Sequence, residues 1–387
     1  MLINLSALFF YKYLSFFIEN INILLNFLQF PSFNDPQIKL PIGISFYVFQ
    51  LLSYIIDVYR GEIKPQKNII NLAAYISLFP QLIAGPIVRY QTIIADLTNR
   101  KTNVDNIYYG LRRFSVGLAK KVLIADQLAL IADTIFGQPT AQVPCFFAWL
   151  GALAYAFQIF YDFSAYSDMA IGLGRIFNFH FLENFNYPYS SLSIREFWRR
   201  WHISLSSWLR DYLYIPLGGN KKSKARTYLN LFIVFTLCGL WHGATWNFVV
   251  WGLYHGTLLV IERLGLSMLL DTFPKILANL YVWIFIIIGW VVFRADTLPH
   301  AISYLNVMFL GNPDVSLNSF RIALDFINYS NVLIFLLAFF FSYPLFETKY
   351  QNVSYTLVDT AFILFLFVIA FTFTMTSTFS PFIYFRF

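Results

Sequence analysis

The chain has 387 residues, of which 58% are hydrophobic and only 12% charged, with a formal net charge of +7. A soluble domain is about a quarter charged and must keep a polar skin because surface-to-volume scaling demands one. This composition excludes that class, and lipid takes the place of the missing skin. The cationic excess is modest and no soluble basic domain accompanies it, so it reads as a positive-inside bias and not as a nucleic-acid-binding surface.

In chain order, residues 1–30 read as one apolar helix interrupted by Lys12 and Glu19, without the basic start or small-residue cleavage site of a signal peptide. Residues 31–39 form a loop. Residues 41–59 span and end near Arg60, Lys64 and Lys67, which mark a cytoplasmic exit. The stretch "LFPQLIAGPIVRY" follows, and Pro80, Gly85 and Pro86 bar a regular helix there. Broken backbone at membrane depth is tolerated only inside protein or along a cavity, so this stretch is either re-entrant or a plain surface loop. Residues 105–136, with Arg112, Arg113, Lys120 and Lys121, read as an interfacial helix leading into a span. Residues 145–177 are too long for one simple crossing and contain Asp162 and Asp168. Residues 190–217 are amphipathic and basic at their start, and Lys221, Lys222, Lys224 and Arg226 then place four cations within six residues. Further apolar runs cover 228–241, 276–293, 332–346 and 355–375, several of them near the ~20 residues a bilayer requires.

Short alternating strands are absent, which argues against a β-barrel. There is no internal repeat and no segment able to fold alone in water. The expectation is therefore a single membrane-embedded domain over residues 1–387, all-α and polytopic. Cys145 and Cys238 both sit in apolar runs and read as buried thiols, not as a disulfide or metal site.

Among the five histidines, His242 stands out by depth. It lies fifteen residues beyond Thr227, where the helix after the basic loop begins. That is roughly 22 Å along a helix at ~1.5 Å per residue, well inside a hydrocarbon layer ~30 Å thick. A polar side chain at that depth faces protein or water and marks function; as a neutral imidazole it can take a proton from an alcohol. The competing role is a hydrogen bond to a neighbouring helix. Gly239 and Gly243 allow close approach of a helix or a substrate and suggest open space at position 242. On a continuous helix His255 would point elsewhere, roughly 220° around. Arg195, Arg199, His202 and Ser206 fall on one helical stripe that suits either donor phosphates or anionic lipid. Asp162 and Asp168 lie about 120° apart and are not a paired carboxylate site; Ser164 and Asp168, four apart, can bond. Intramembrane carboxylates mark a substrate or proton path, or a clamp between helices. His180 reads as an interfacial, structural histidine, and His300 has no assignment.

The segments "LPIGISFYVFQLLSYIIDVYRGE", "FPQLIAGPIVRY", "YDFSAYSDMAIGLGRI", "REFWRRWHISLSSWLRDYLYIPLGGN", "LWHGATWNFVVWGLYHG" and "FIYFRF" closely resemble, in order, the bacterial membrane-bound O-acyltransferase family, nearest its alginate O-acetylase branch. The peptidoglycan O-acetyltransferases and teichoic-acid D-alanyl transferases share much of this pattern. The resemblance implies a ring of tilted helices around a thin floor, with a tunnel in which a cytoplasmic donor meets an outer acceptor. It implies that His242 is the catalytic histidine and His202 the second motif histidine on the donor side. It also implies that Arg195, Arg199, Asp162 and Asn247 bind substrate. The implied donor is acetyl-CoA, with no bound cofactor or metal. The implied partner is a periplasmic or extracellular acetyltransferase, and the implied location is the inner (plasma) membrane. A transporter or flippase is the distant rival. Family members usually carry further spans before the segment matching "LSALFFYKYLSFFIENIN"; here that segment is N-terminal, so the resemblance implies a shortened member, a fragment or a misassigned start.

Overall fold

The computed structural model describes the chain except residues 84, 99, 102, 313–319, 321–323, 325, 346–355, 377–380 and 384–387. The last four residues of "FIYFRF" and the outer ends of the runs 332–346 and 355–375 lie outside the described residues. The described residues form helices and no strand. They are α1 (Leu2–Phe27), α2 (Ile44–Tyr59), α3 (Ile69–Ile76), α4 (Tyr90–Thr98), α5 (residues 104–136), α6 (Cys145–Ile176), α7 (Ile194–Arg200), α8 (Ile203–Leu209), α9 (Lys224–His242), α10 (Trp246–Thr272), α11 (Lys275–Arg294), α12 (Leu298–Leu310), α13 (Tyr329–Phe341) and α14 (Leu357–Thr376). Five of these, α1, α6, α10, α11 and α14, are long and apolar enough to cross a bilayer.

The centre is α6, a single unbroken helix of 32 residues. The length that argued against a simple crossing is therefore carried by one continuous rod. Its most apolar stretch is 78% buried, so protein and not lipid surrounds it. Helix α5 runs against α6 at backbone contact. A Cβ on Gly110 would strike the Gly172 carbonyl, and one on Gly117 would strike the Ala165 carbonyl. Close packing of this kind is how helices associate where no hydrophobic effect drives them together. Ion pairs flank the Gly117 contact on both sides. Arg113 of α5 bonds Asp168 at 2.6 Å and also Glu183, and Lys120 bonds Asp168 at 2.6 Å. Lys121 bonds Asp162 at 2.5 Å and Asp126 at 2.8 Å. Helix α14 packs on the outer side of α5, where Asp359 pairs with Arg112 at 3.2 Å.

The stretch around Pro80 to Pro86 contains no helix among its described residues, and Pro80, Gln81 and Gly85 to Val88 are buried. It is irregular backbone held inside the protein, which removes the surface-loop alternative. Tyr75 Oη donates to the Val88 carbonyl at 3.0 Å, and the Ile87 amide donates to Ser204 Oγ at 3.0 Å. Gly43, left-handed at the N-cap of α2, lies against the Leu82 carbonyl, where a side chain would collide.

Candidate active site

Helix α9 runs from the exposed basic loop to His242 and stops there, because Gly243 and Thr245 are extended and α10 restarts at Trp246. The helix pair is close. A Cβ on Gly239 would meet the Phe248 carbonyl, and one on Gly252 would meet that of Phe235. Gly243 sits under the Phe248 ring. The glycines around His242 therefore accommodate α10, not open space. The open space lies on another side: a cavity of about 140 Å³ is lined by His242, Trp241, Lys12, Ser45, Ile83 and the 40–44 loop. His242 is 6% exposed, and its ring meets Trp241, Trp251 and Phe293 edge-on at 4.9, 5.3 and 5.2 Å.

His202 is not on a helical stripe with Arg195 and Arg199. Helix α7 ends at Arg200, and His202 takes a left-handed backbone, φ 43°, before α8 begins. A side-chain-bearing residue in that region costs on the order of 1–3 kcal/mol and needs surroundings that enforce it. The kink turns His202 inward to 1% exposure, while Arg195 and Arg199 stay exposed on α7. The enforcing group is Asn184. Its Oδ1 faces His202 Nδ1 at 3.1 Å and accepts from the Ser204 amide at 3.2 Å and Ser204 Oγ at 2.9 Å. Its Nδ2 donates to Ser167 Oγ at 3.2 Å. The backbone amide of Ser204 can only donate, so the atom facing it is the carbonyl oxygen of Asn184. His202 Nδ1 must then carry the proton, and Nε2 carries the lone pair.

The two imidazoles come together through one indole. Trp241 meets the His202 ring at 6.0 Å and the His242 ring at 4.9 Å. It is itself held by Phe46 and Phe49 and by a hydrogen bond from its Nε1 to the Ser45 carbonyl at 3.3 Å. The remaining motif residues lie elsewhere. Asp162 is engaged by Lys121 and by the Ile383 amide at 2.6 Å, which makes it a clamp on the C-terminal segment. Asn247 Nδ2 donates to the Ala295 carbonyl at 2.6 Å and ties α10 to the end of α11. Ser164 bonds the Tyr161 carbonyl, not Asp168. His255 is not remote from the site, because α9 and α10 are separate helices. It is buried against Trp251 at 4.9 Å, and Trp251 also contacts His242. His180 faces Asp96 at 3.3 Å near the surface. Cys238 is buried and Cys145 Sγ donates to the Met308 carbonyl; both are free thiols. Sequence reasoning missed Asn184 and Trp241 as supports. It met Lys12 only as an interruption, although a cation inside an apolar helix is itself a signal.

Around the exposed face of α7, Glu262 of α10 accepts from the Ile194 and Arg195 amides at 2.6 and 3.0 Å and anchors the helix start. Arg263 bonds Asn220 at 3.1 Å, joining α10 to the basic loop. Arg195, Arg199 and Arg263 thus share one electrostatic neighbourhood.

Fold and site together define a class: a polytopic, all-α membrane protein with a buried histidine at a broken helix end beside a small cavity. The chain matches the membrane-bound O-acyltransferase (MBOAT) family over residues 62–296 and belongs to that family. It is 45% identical to a protein named probable alginate O-acetylase AlgI from Azotobacter vinelandii, over 89% of this chain and 70% of that one. Its likeness to the protein of the same name from Pseudomonas aeruginosa is 47%, over 79% of this chain and 59% of the other. A peptidoglycan O-acetyltransferase from Helicobacter pylori is 37% identical over 99% of this chain and 81% of its own. The chain thus spans between about three fifths and four fifths of the length of these relatives.

Proposed function

We propose that the chain is an inner-membrane O-acyltransferase that takes an acetyl group from acetyl-CoA on the cytoplasmic side and passes it toward an exported polysaccharide such as alginate. The observation that carries this reading is His242, buried at the end of α9 beside a 140 Å³ cavity in a chain whose relatives are named O-acetylases. A cavity of that size suits a two-carbon acyl group or a hydroxyl-bearing carbon and is too small for a nucleotide. The donor's nucleotide would stay outside, against Arg195 and Arg199, whose guanidinium groups pair well with phosphate.

In the step proposed, the neutral imidazole of His242 takes the proton of the acceptor hydroxyl as its oxygen attacks the thioester carbonyl carbon. Collapse of the tetrahedral intermediate breaks the C–S bond, and the imidazolium returns the proton to the leaving thiolate. His202, with its Nε2 lone pair directed by Asn184, would act on the donor side of Trp241. A periplasmic or extracellular acetyltransferase is the expected partner that completes delivery to the polymer. A second reading keeps this chemistry with peptidoglycan as the acceptor, favoured by the relative that aligns with 99% of this chain. Ester-bound acetate on cell-wall glycan in place of exported polymer would select it.

The test is His242→Ala in polymer-producing cells that lack the native gene, with His180→Ala as the control. Loss of a general base costs ~10²–10⁴ in rate, so ester-bound acetate should fall to background while the protein stays in the membrane. Normal acetylation by the His242 variant, or inactivity only because it has left the membrane, would sink the reading.

A further inference from the structure

Lys12 is a cation within an apolar helix, and nothing in the reaction above uses it. Its ammonium makes three hydrogen bonds: to Ser45 Oγ at 3.0 Å, to the Trp241 carbonyl at 2.5 Å and to the His242 carbonyl at 3.2 Å. None of these acceptors is a carboxylate. A cation at membrane depth is expensive without compensation. Here the compensation is the negative end of α9, whose last carbonyls have no donor within the helix. The next residue does the same one step earlier, with Tyr13 Oη donating to the Leu240 carbonyl at 2.9 Å. Two consecutive residues reach the same helix end where α1 is wound as a π-turn over Phe9–Tyr13. Such single wide turns are frequent at functional sites. Only 6% of the apolar stretch of α1 is buried, so polar bonds at Lys12, Tyr13 and, further on, Asn20 to Trp246 do much to attach it to the α9–α10 pair.

We propose that Lys12 is a positioning residue for His242. Its ammonium ties the last turn of α9 to the start of α2 and so fixes the backbone from which the imidazole borders the cavity. The proposal rests on the reading of His242 as the reacting group. Lys12 stands in the same cavity wall as His242, so freeing the helix end would shift the imidazole relative to anything bound there. A displacement of about 1 Å can cost ~10²-fold in rate.

The experiment uses the full chain in inverted membrane vesicles from polymer-producing cells, with acetyl-CoA as the probe and release of CoA thiol as the rate. Lys12→Met keeps the length and removes the charge. Lys12→Arg keeps the charge. Tyr13→Phe removes a neutral bond to the same helix end. For Lys12→Met the turnover number should fall on the order of 100-fold, with the KM for acetyl-CoA within about twofold of wild type. Lys12→Arg should recover a large part of the loss, and Tyr13→Phe should stay within a few-fold of wild type. Near-normal turnover in Lys12→Met, or equal losses in Lys12→Met and Tyr13→Phe, would reduce Lys12 to an ordinary helix contact and overturn the proposal. If Lys12→Met is lost from the membrane, Lys12→Arg decides: a resident, turning-over Arg variant upholds the need for the cation. Absence of both, or a resident but inactive Arg variant, overturns the positioning role. His242→Ala is run alongside. If that variant turns over normally, the reading of the site has failed; if it is dead while Lys12→Met is normal, only the role of Lys12 has failed.

Discussion

Asn184→Ala offers the sharpest test of how the second histidine is held. The substitution removes one acceptor serving three donors, the His202 ring, the Ser204 amide and the Ser204 hydroxyl, and one donor to Ser167. All four residues are buried. A hydrogen bond contributes about 0.5–1.5 kcal/mol net, and a buried donor left without an acceptor costs about 1–3 kcal/mol. With the Ser204 amide orphaned and the imidazole N–H left with a long contact to Ser204 Oγ at 3.4 Å, the total comes to about 3–5 kcal/mol. The left-handed backbone at His202 would then be free to relax, taking the imidazole away from Trp241. At roughly 2 °C per kcal/mol for a large domain, the melting midpoint of the detergent-solubilised protein should drop by about 6–10 °C. Ser204→Ala, which removes one member of the network, should cost about a third of that. Melting can be followed by tryptophan fluorescence, with ester-bound acetate measured in parallel. If Asn184→Ala melts within about 2 °C of wild type and acetylates normally, packing against Trp241 and against Phe163 of α6, whose ring meets that of His202 edge-on at 4.6 Å, alone holds His202, and the network does not.

Gly239→Ala should destabilise by about 1–3 kcal/mol or more, because the added Cβ meets the Phe248 backbone and not a flexible side chain. Gly256→Ala, facing mainly the Phe232 side chain, should cost less, and equal membrane levels and melting for the two would count against the packing account. Arg199→Ala should raise the apparent KM for acetyl-CoA with kcat largely kept; unchanged donor dependence would make α7 a lipid-facing surface. A cysteine at Ser223, in the exposed basic loop, should resist an impermeant thiol reagent in intact cells and react in inverted vesicles. Ready labelling from outside would reverse the orientation and the depth argument for His242.

The class of the fold was legible because a chain this apolar and this poor in charge has few alternatives. Helix α9 and its end were less so. The apolar run and the depth of His242 could be read, but the break at Gly243 to Thr245 could not be told from two helix-packing glycines. Position along one imagined helix therefore misplaced His255, which shares Trp251 with His242. The stripe from Arg195 to Ser206 failed for a related reason. Spacing assumes continuous φ and ψ, and the left-handed turn at His202 is enforced by Asn184, eighteen residues upstream in the chain. Asp162 and Asp168 read equally as a path or as a clamp between helices, because an intramembrane carboxylate suits both. Their cations sit on α5, more than forty residues away in sequence, and only folding brings them together.

The unbroken length of α6 bears on the lipid around the protein. Thirty-two residues extend ~48 Å, whereas the hydrocarbon layer is ~30 Å thick. Even at a tilt of ~40°, near the upper end of what is observed, the rod projects ~37 Å along the membrane normal. Some ~7 Å must therefore emerge into the headgroup layer. The end that carries Asp168 and Arg175, on the side where Arg113 and Lys120 converge, is the end equipped to do so. The apolar end, starting at Cys145, has no comparable charge. A bilayer of short-chain lipid would leave more of this rod in water, and one of long-chain lipid would draw the ion pairs toward the oil. Bilayer thickness thus becomes a variable acting on the α5–α6 clamp and, through the contacts that Phe163 and Ser167 of α6 make with His202 and Asn184, on the second histidine.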